Sequence, residues 1–219
     1  MTIIDLQNCL TTLSKKRPFF VSEADFQHCL ALELENYGYT VFLEFPITIG
    51  TKKNEYIDLI VWDNKKKTYH PIELKYKTIR AQCQGSPFYN PFLLKTHSAR
   101  PINRYLFWKD VFRIEQIKNQ LSCSRGFVVF LTNDNNYWTP LSGTGNIDAL
   151  FRLHSSICVQ SVCWQNTPSA PNYQTGTVVY HSFSLLRPYT VPNWLLYSNS
   201  RMVNAGGANS IFKSLTIEV

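Results

Sequence analysis

From Ser22 onward apolar residues recur at helical spacing, Phe26, Leu30, Leu34 and Tyr37, until Gly38 ends the run. Ser22 followed by Asp25 is an acidic variant of the capping box, so the pattern predicts a helix over 22–37. The period then changes. In residues 39–49, Val41, Leu43, Phe45 and Ile47 alternate with Phe42, Glu44 and Pro46, which predicts a strand with the first set on one face and an edge or bulge at Pro46. YIDLIVW (56–62) and TYHPIELKY (68–76) are two further β-rich runs on either side of a polar DNKKK, and they read as a hairpin. Residues 79–105 show no clear period and read as a long irregular insertion. Val111, Ile114, Ile117 and Leu121 predict a helix over 109–121, with Arg113, Gln116 and Gln120 beside the apolar stripe. RGFVVFLTND (125–134) is almost uninterrupted and fits a strand covered on both faces. Residues 139–176 are rich in Ser, Thr, Gly, Asn and Pro and offer one short helix, around 148–154; VVYHSFSLL (178–186) and FKSLTIEV (212–219) are strand-like.

A chain of 219 residues with 44% hydrophobic residues has ample material for a packed core, which excludes a disordered tail or a disulfide-stapled mini-scaffold. The expected architecture is one α/β domain over 1–219, with its core at about 22–133, an insertion at 79–105 and a C-terminal elaboration at about 139–219. No apolar run approaches the roughly 18 residues of a membrane span. The N-terminal stretch carries Asp5 and Asn8 among its apolar residues and has Lys15-Lys16-Arg17 after rather than before them, unlike a secretory signal. A cytoplasmic protein without a membrane partner is expected. Six scattered cysteines then read as reduced thiols. The net charge of +7 points to an anionic partner, without separating nucleic acid from a membrane surface. The glycine-containing stretches SGTG (142–145) and NAGGAN (204–209) lack a P-loop lysine, so no nucleotide cofactor is expected from them.

The chemistry concentrates in IDLIVWDNKKKTYHPIELK. A two- or four-residue turn centred between Lys65 and Lys66 pairs positions that sum to 131, which sets Asp58 opposite Glu73. Lys75 shares the face of Glu73, while Ile72, Leu74 and Tyr76 point the other way. Adjacent carboxylates repel unless a proton or cation lies between them, and a divalent ion with hard oxygen ligands is the simplest solution. A solvated sheet face with Lys75 bridging the two acids is the plainer alternative.

Asp58 in an apolar strand, Glu73-Leu74-Lys75 in the next, a preceding helix bearing Glu23, and a following helix and apolar strand together resemble the PD-(D/E)XK nuclease superfamily. The resemblance covers roughly 22–133 and reproduces that family's αβββαβ order, with Ile57 where the name-giving proline would stand. It implies a restriction-endonuclease-like fold, a mixed central sheet flanked by helices, and Mg²⁺-dependent hydrolysis of DNA phosphodiesters, with Mn²⁺ able to substitute. Asp58, Glu73 and the Leu74 carbonyl would hold metal, and Lys75 would orient water or stabilise charge. Glu23 would assist from the helix; it is equally a first-turn acid favoured by the helix dipole. Such chains include prokaryotic restriction, defence and mobile-element enzymes, and a homodimer or a partner subunit is compatible with the reading, as is RNA in place of DNA. Arg80, Lys95, Arg100 and Arg104, interleaved with aromatics in 79–105, would contact nucleic acid, together with Arg113 and Gln116. The same segment is equally compatible with a packed structural loop. A non-cleaving nucleic-acid-binding or assembly module on the same fold is the competing class.

Overall fold

A computed structural model describes residues 1–49, 52–85, 88–121, 123, 125–140, 146–165, 172–200, 203–204 and 210–219. Ser142–Gly145 and all but the first residue of the 204–209 stretch therefore lie outside the described residues. Three helices, α1 (Ile3–Lys16), α2 (Glu23–Asn36) and α3 (Arg100–Gln120), accompany a mixed six-stranded sheet. Its strands are β1 (Thr40–Ile49), β2 (Lys52–Asp63), β3 (Thr68–Lys77), β6 (Phe127–Thr132), β11 (Leu195–Asn199) and β13 (Ile211–Glu218). Their order is β1-β2-β3-β6-β13-β11, and β3 beside β6 is the one parallel pair in it. Smaller sheets join β4 (Ala81–Gly85), β5 (Phe88–Leu94) and β12 (Val203–Asn204), then β7 (Cys158–Val162) with β10 (Phe183–Thr190), and β8 (Asn172–Thr175) with β9 (Val178–His181).

Two apolar clusters sandwich the sheet. α1 and α2 cover one face through Leu6, Leu10, Phe26 and Leu30 against Leu59, Ile72, Leu74 and Val129. α3 and the C-terminal elaboration cover the other through Trp108, Ile114, Phe151 and Trp194 against Ile60, Val128, Phe130 and Leu215. β6, wholly buried, has apolar partners on both sides, as its unbroken apolar sequence requires.

The β2–β3 hairpin holds the expected register. Pairs run from Asp63↔Thr68 to Leu59↔Ile72, with 64–67 as the loop. The loop is set locally: Asp63 Oδ1 accepts the amides of Lys65 and Lys66 at 3.0 and 2.9 Å, and Lys67 takes a left-handed φ of 55°. A one-residue slip would move every side chain of these strands to the opposite face, exchanging the residues fitted to the two apolar clusters, so packing on both faces enforces this register.

The structure departs from the sequence reading in four places. Val41, Leu43, Phe45 and Ile47 do not share a face. Val41 packs with α1 and α2, whereas Phe45 and Ile47 join the α3 cluster and Leu43 is exposed. The cause lies at Glu44, whose φ of 46° rotates β1 between the pairs Leu43↔Leu59 and Phe45↔Ile57. β2 rotates with it: Ile57 lies in the α3 cluster and Leu59 in the other, although a regular strand would keep them together. Second, residues 79–105 are not irregular; they form β4, β5 and the first turns of α3, which begins at Arg100, ahead of the expected 109. Of the aromatics there, Tyr105 is buried on α3 and Phe92 packs from β5 against the α1–α2 cluster, so both serve the core. Third, the chain starts with a helix: α1 carries Leu6, Cys9, Leu10 and Leu13 inward behind a Thr2/Asp5 capping box. Fourth, β7, β8 and β11 lie in stretches that show little strand periodicity. The six cysteines are unbridged. No helix among the described residues is long and apolar enough to cross a membrane.

Candidate active site

β2 pairs with β3 only as far as Leu59↔Ile72, while β3 runs on beside β6 to Lys77. The two strands therefore diverge at Asp58 and Glu73, and the β3 backbone beyond that point needs other partners on its opened side. Carboxylates supply them. Asp58 Oδ2 accepts the Leu74 amide at 2.6 Å, and Glu23 Oε2 accepts the Tyr76 amide at 2.6 Å. Glu23 also pairs with Lys77 at 3.0 Å. Gln27, one turn along α2 from Glu23, donates from Nε2 to the Asp58 carbonyl at 2.7 Å and to Glu44 Oε1 at 2.8 Å. It thereby clamps the rotated stretches of β1 and β2 to one helix.

The face of β3 toward α3 carries Glu73 and Lys75. Arg113 binds Glu73 Oε1 in a close ion pair and also donates to the Tyr56 carbonyl at 2.6 Å. Lys75 Nζ sits 2.5 Å from Asp110 Oδ2 and 3.3 Å from the Leu74 carbonyl. Asp110 and Arg113 stand three apart on α3 and face β3 together. Asp58, Glu73, Asp110, Lys75 and Arg113 thus form one half-buried to buried charged cluster, with Glu73 only 1% exposed.

The cluster sets three carboxyls against two cations. Burial, then Asp110 and Asp58, push the Glu73 carboxyl well above its ordinary range despite Arg113 and Lys75. Burial also raises Asp58, against the Leu74 amide and Lys75. For Lys75, burial works against the ammonium, yet Asp110 outweighs it and holds the lysine above its usual range. Lys75 is therefore a cation at neutral pH and not a general base. A raised carboxyl costs stability only once ionised, so the penalty is absent below about pH 4 and grows as pH rises through the raised values. Asp58→Asn removes one charge while its amide oxygen still accepts from Leu74. Without metal at pH 7.5 the variant should melt above the parent by about 2–4 °C per kcal/mol of relieved repulsion. The gap should close toward pH 4; a gap independent of pH in thermal scans would assign the gain elsewhere.

The other residues expected in the site are dispersed. Arg104 is buried, ion-paired to Asp148 and donating to the Asn136 carbonyl at 2.6 Å. It does not reach the surface, because the helix that contains it packs into the core. Arg100 pairs with Asp134 at 2.5 Å and remains partly exposed. Arg80 and Lys95 are exposed on the β4–β5 side, and Gln116 is half-buried on α3. The side chain of Gln120 lies outside the described residues. His70 is buried with its Nδ1 3.2 Å from the Arg125 carbonyl, and burial lowers it to about 4.

Asp110 and Gln27 were not singled out from the sequence. Both carried a signal: Asp110 lies four and seven residues before Ile114 and Ile117 on the inward stripe, and Gln27 lies four after Glu23.

Among the described residues no three His, Cys, Asp or Glu side chains converge into a ready-made metal site. A divalent ion would rest on two carboxylates and a carbonyl. That donor set fits a hard cation. Each acid commits one oxygen to a protein donor, Asp58 Oδ2 to Leu74 and Glu73 Oε1 to Arg113, which leaves Oδ1 and Oε2 for the ion beside the Leu74 carbonyl. Comparison with protein-family models, with curated proteins and with solved structures finds no match to this chain.

Proposed function

We propose that this chain is a metal-dependent nuclease of restriction-endonuclease-like architecture that hydrolyses phosphodiester bonds of DNA, in the manner of prokaryotic restriction, defence or mobile-element enzymes. The observation that carries the reading is the pair of carboxyls, Asp58 and Glu73, both raised in affinity for protons and set beside a permanently charged Lys75 where β2 and β3 part. Excess negative charge at one point of a chain of net charge +7 is what a cation would neutralise. The order α2, β1, β2, β3, α3, β6, with β4 and β5 inserted between β3 and α3, supports the same architecture.

Asp58, Glu73 and the Leu74 carbonyl would hold Mg²⁺, which would lower the pKa of a bound water and offset charge on the phosphate. The protein does the rest. Asp58 and Glu73 hold their oxygens in place through the Leu74 amide and Arg113. Lys75 presents a fixed positive charge toward the oxygens that gain charge during attack. Gln27 and Glu23 fix the strand ends that carry these groups.

A non-cleaving nucleic-acid-binding module is favoured by one observation: Arg113 on Glu73 and Lys75 on Asp110 already neutralise two of the acids. A cleavage panel decides. Duplex, single-stranded and branched DNA and RNA are incubated with Mg²⁺, Mn²⁺ or EDTA. Metal-dependent cutting abolished by Asp58→Asn is expected, whereas silence of the parent on every substrate with either metal selects the binding module.

A further inference from the structure

A second concavity adjoins the acid cluster. The start of α2 with Ser22 and Glu23, the end of β3 with Lys77, and the segment from Leu93 through Lys95 to His97 enclose about 300 Å³. Lys77 lies two residues beyond Lys75, about 7 Å along the strand.

The lining is cationic. Lys95 is exposed at the wall, and Lys77 reaches in from β3. His97 Nδ1 accepts the Thr78 amide at 2.9 Å, so the neutral ring carries its proton on Nε2, which makes it a donor. Glu23 is the single acid of the lining and is already held by the Tyr76 amide and Lys77. Lys77 and Glu23 offset each other as an ion pair, so Lys95 and the imidazole N–H of His97 leave the lining with one net positive charge, which selects an anion. Leu93 and Val21, each about half exposed, give the rim apolar surface for a sugar or base. A phosphomonoester carries a charge of about −1.5 to −2 at neutral pH, more than one internal linkage, and gains correspondingly from the net positive charge of the lining.

We infer that this pocket binds the terminal phosphate of a nucleic-acid strand, placing a neighbouring linkage over Asp58, Glu73 and Lys75; the second half of that statement rests on the nuclease reading. The cut is then measured from a phosphorylated end.

The test separates the two claims by using EDTA, where cleavage is absent. An internally labelled short single-stranded DNA ending in a 5′-phosphate, a 3′-phosphate or only hydroxyls is titrated by fluorescence anisotropy. One phosphorylated end should bind about tenfold more tightly than the hydroxyl-ended strand, about 1.4 kcal/mol. Lys95→Gln combined with His97→Asn should remove that ratio; asparagine keeps an acceptor for the Thr78 amide, so the fold is retained. Equal affinity for all three strands overturns the pocket. A ratio unchanged in the double variant overturns these residues as its lining. Metal-dependent cutting without any end preference retains the nuclease and discards the pocket, while end preference without cutting does the reverse.

Discussion

Lys75→Ala should slow cleavage by about 10²–10³-fold on any substrate that the parent cuts, the usual consequence of removing one preorganised electrostatic group. Lys75 stands 2.5 Å from Asp110 and is held in its charged form by that contact, so its loss removes a positive charge without removing a proton acceptor. The rate should therefore fall at every pH, and the acid side of the pH profile should move upward, because Lys75 no longer holds down the Asp58 and Glu73 carboxyls. Metal binding, read as the rise in melting temperature with Mg²⁺, should survive. Because the single variant strands Asp110 in a site where its side chain is 9% exposed, a companion variant, Lys75→Ala with Asp110→Asn, removes both charges. If that folded double variant cuts at the parental rate, Lys75 has no part in the chemistry. Glu73→Ala, by contrast, should lose the metal response together with cleavage.

Arg104→Ala should destabilise the protein by about 3–5 kcal/mol, the cost of leaving a buried charge without its main partner. Asp148, 2% exposed, would keep only the longer 3.8 Å contact to Arg152, and Tyr137 would lose the guanidinium 5.2 Å from its ring centre. Replacing both members, Arg104→Met with Asp148→Leu, should recover much of the loss. DNA affinity measured well below the melting temperature should be unchanged in this double variant. Were affinity to fall uniformly with a shallower salt dependence, Arg104 would be a phosphate contact after all. Arg80 and Lys95 are the exposed cations of the same stretch, and substitutions there should act on binding and not on stability.

The contrast between Lys75 and Arg104 shows what a linear chain displays. The hairpin register was legible because turn length and strand parity are local, and together they set Asp58 beside Glu73 with Lys75 on the same side. The face change within β1 and β2 was not, since it depends on the left-handed φ of Glu44, a residue without the glycine signature of such a bend. Residues 79–105 misled because basic and aromatic residues serve a surface and a buried helix equally well. What settles Arg104 is Asp148, 44 positions away, and that proximity exists only in the fold. α1 is legible in full, since Leu6, Cys9, Leu10 and Leu13 repeat at helical spacing. Asp110 shows the complementary gap. An acid on an apolar stripe gains meaning from the lysine it meets on β3, and no property of the helix sequence names that lysine.

The carboxylates at the opening between β2 and β3 have a duty apart from chemistry. A strand side with unsatisfied amides invites pairing by another chain, which is how soluble proteins begin to aggregate. Asp58 and Glu23 occupy the Leu74 and Tyr76 amides and place negative charge along that opening. Asp58, proposed to hold a metal, and its neighbour Glu23 thus also act as gatekeepers against intermolecular strand addition. Solubility would then constrain these two positions in any relative that had ceased to cleave.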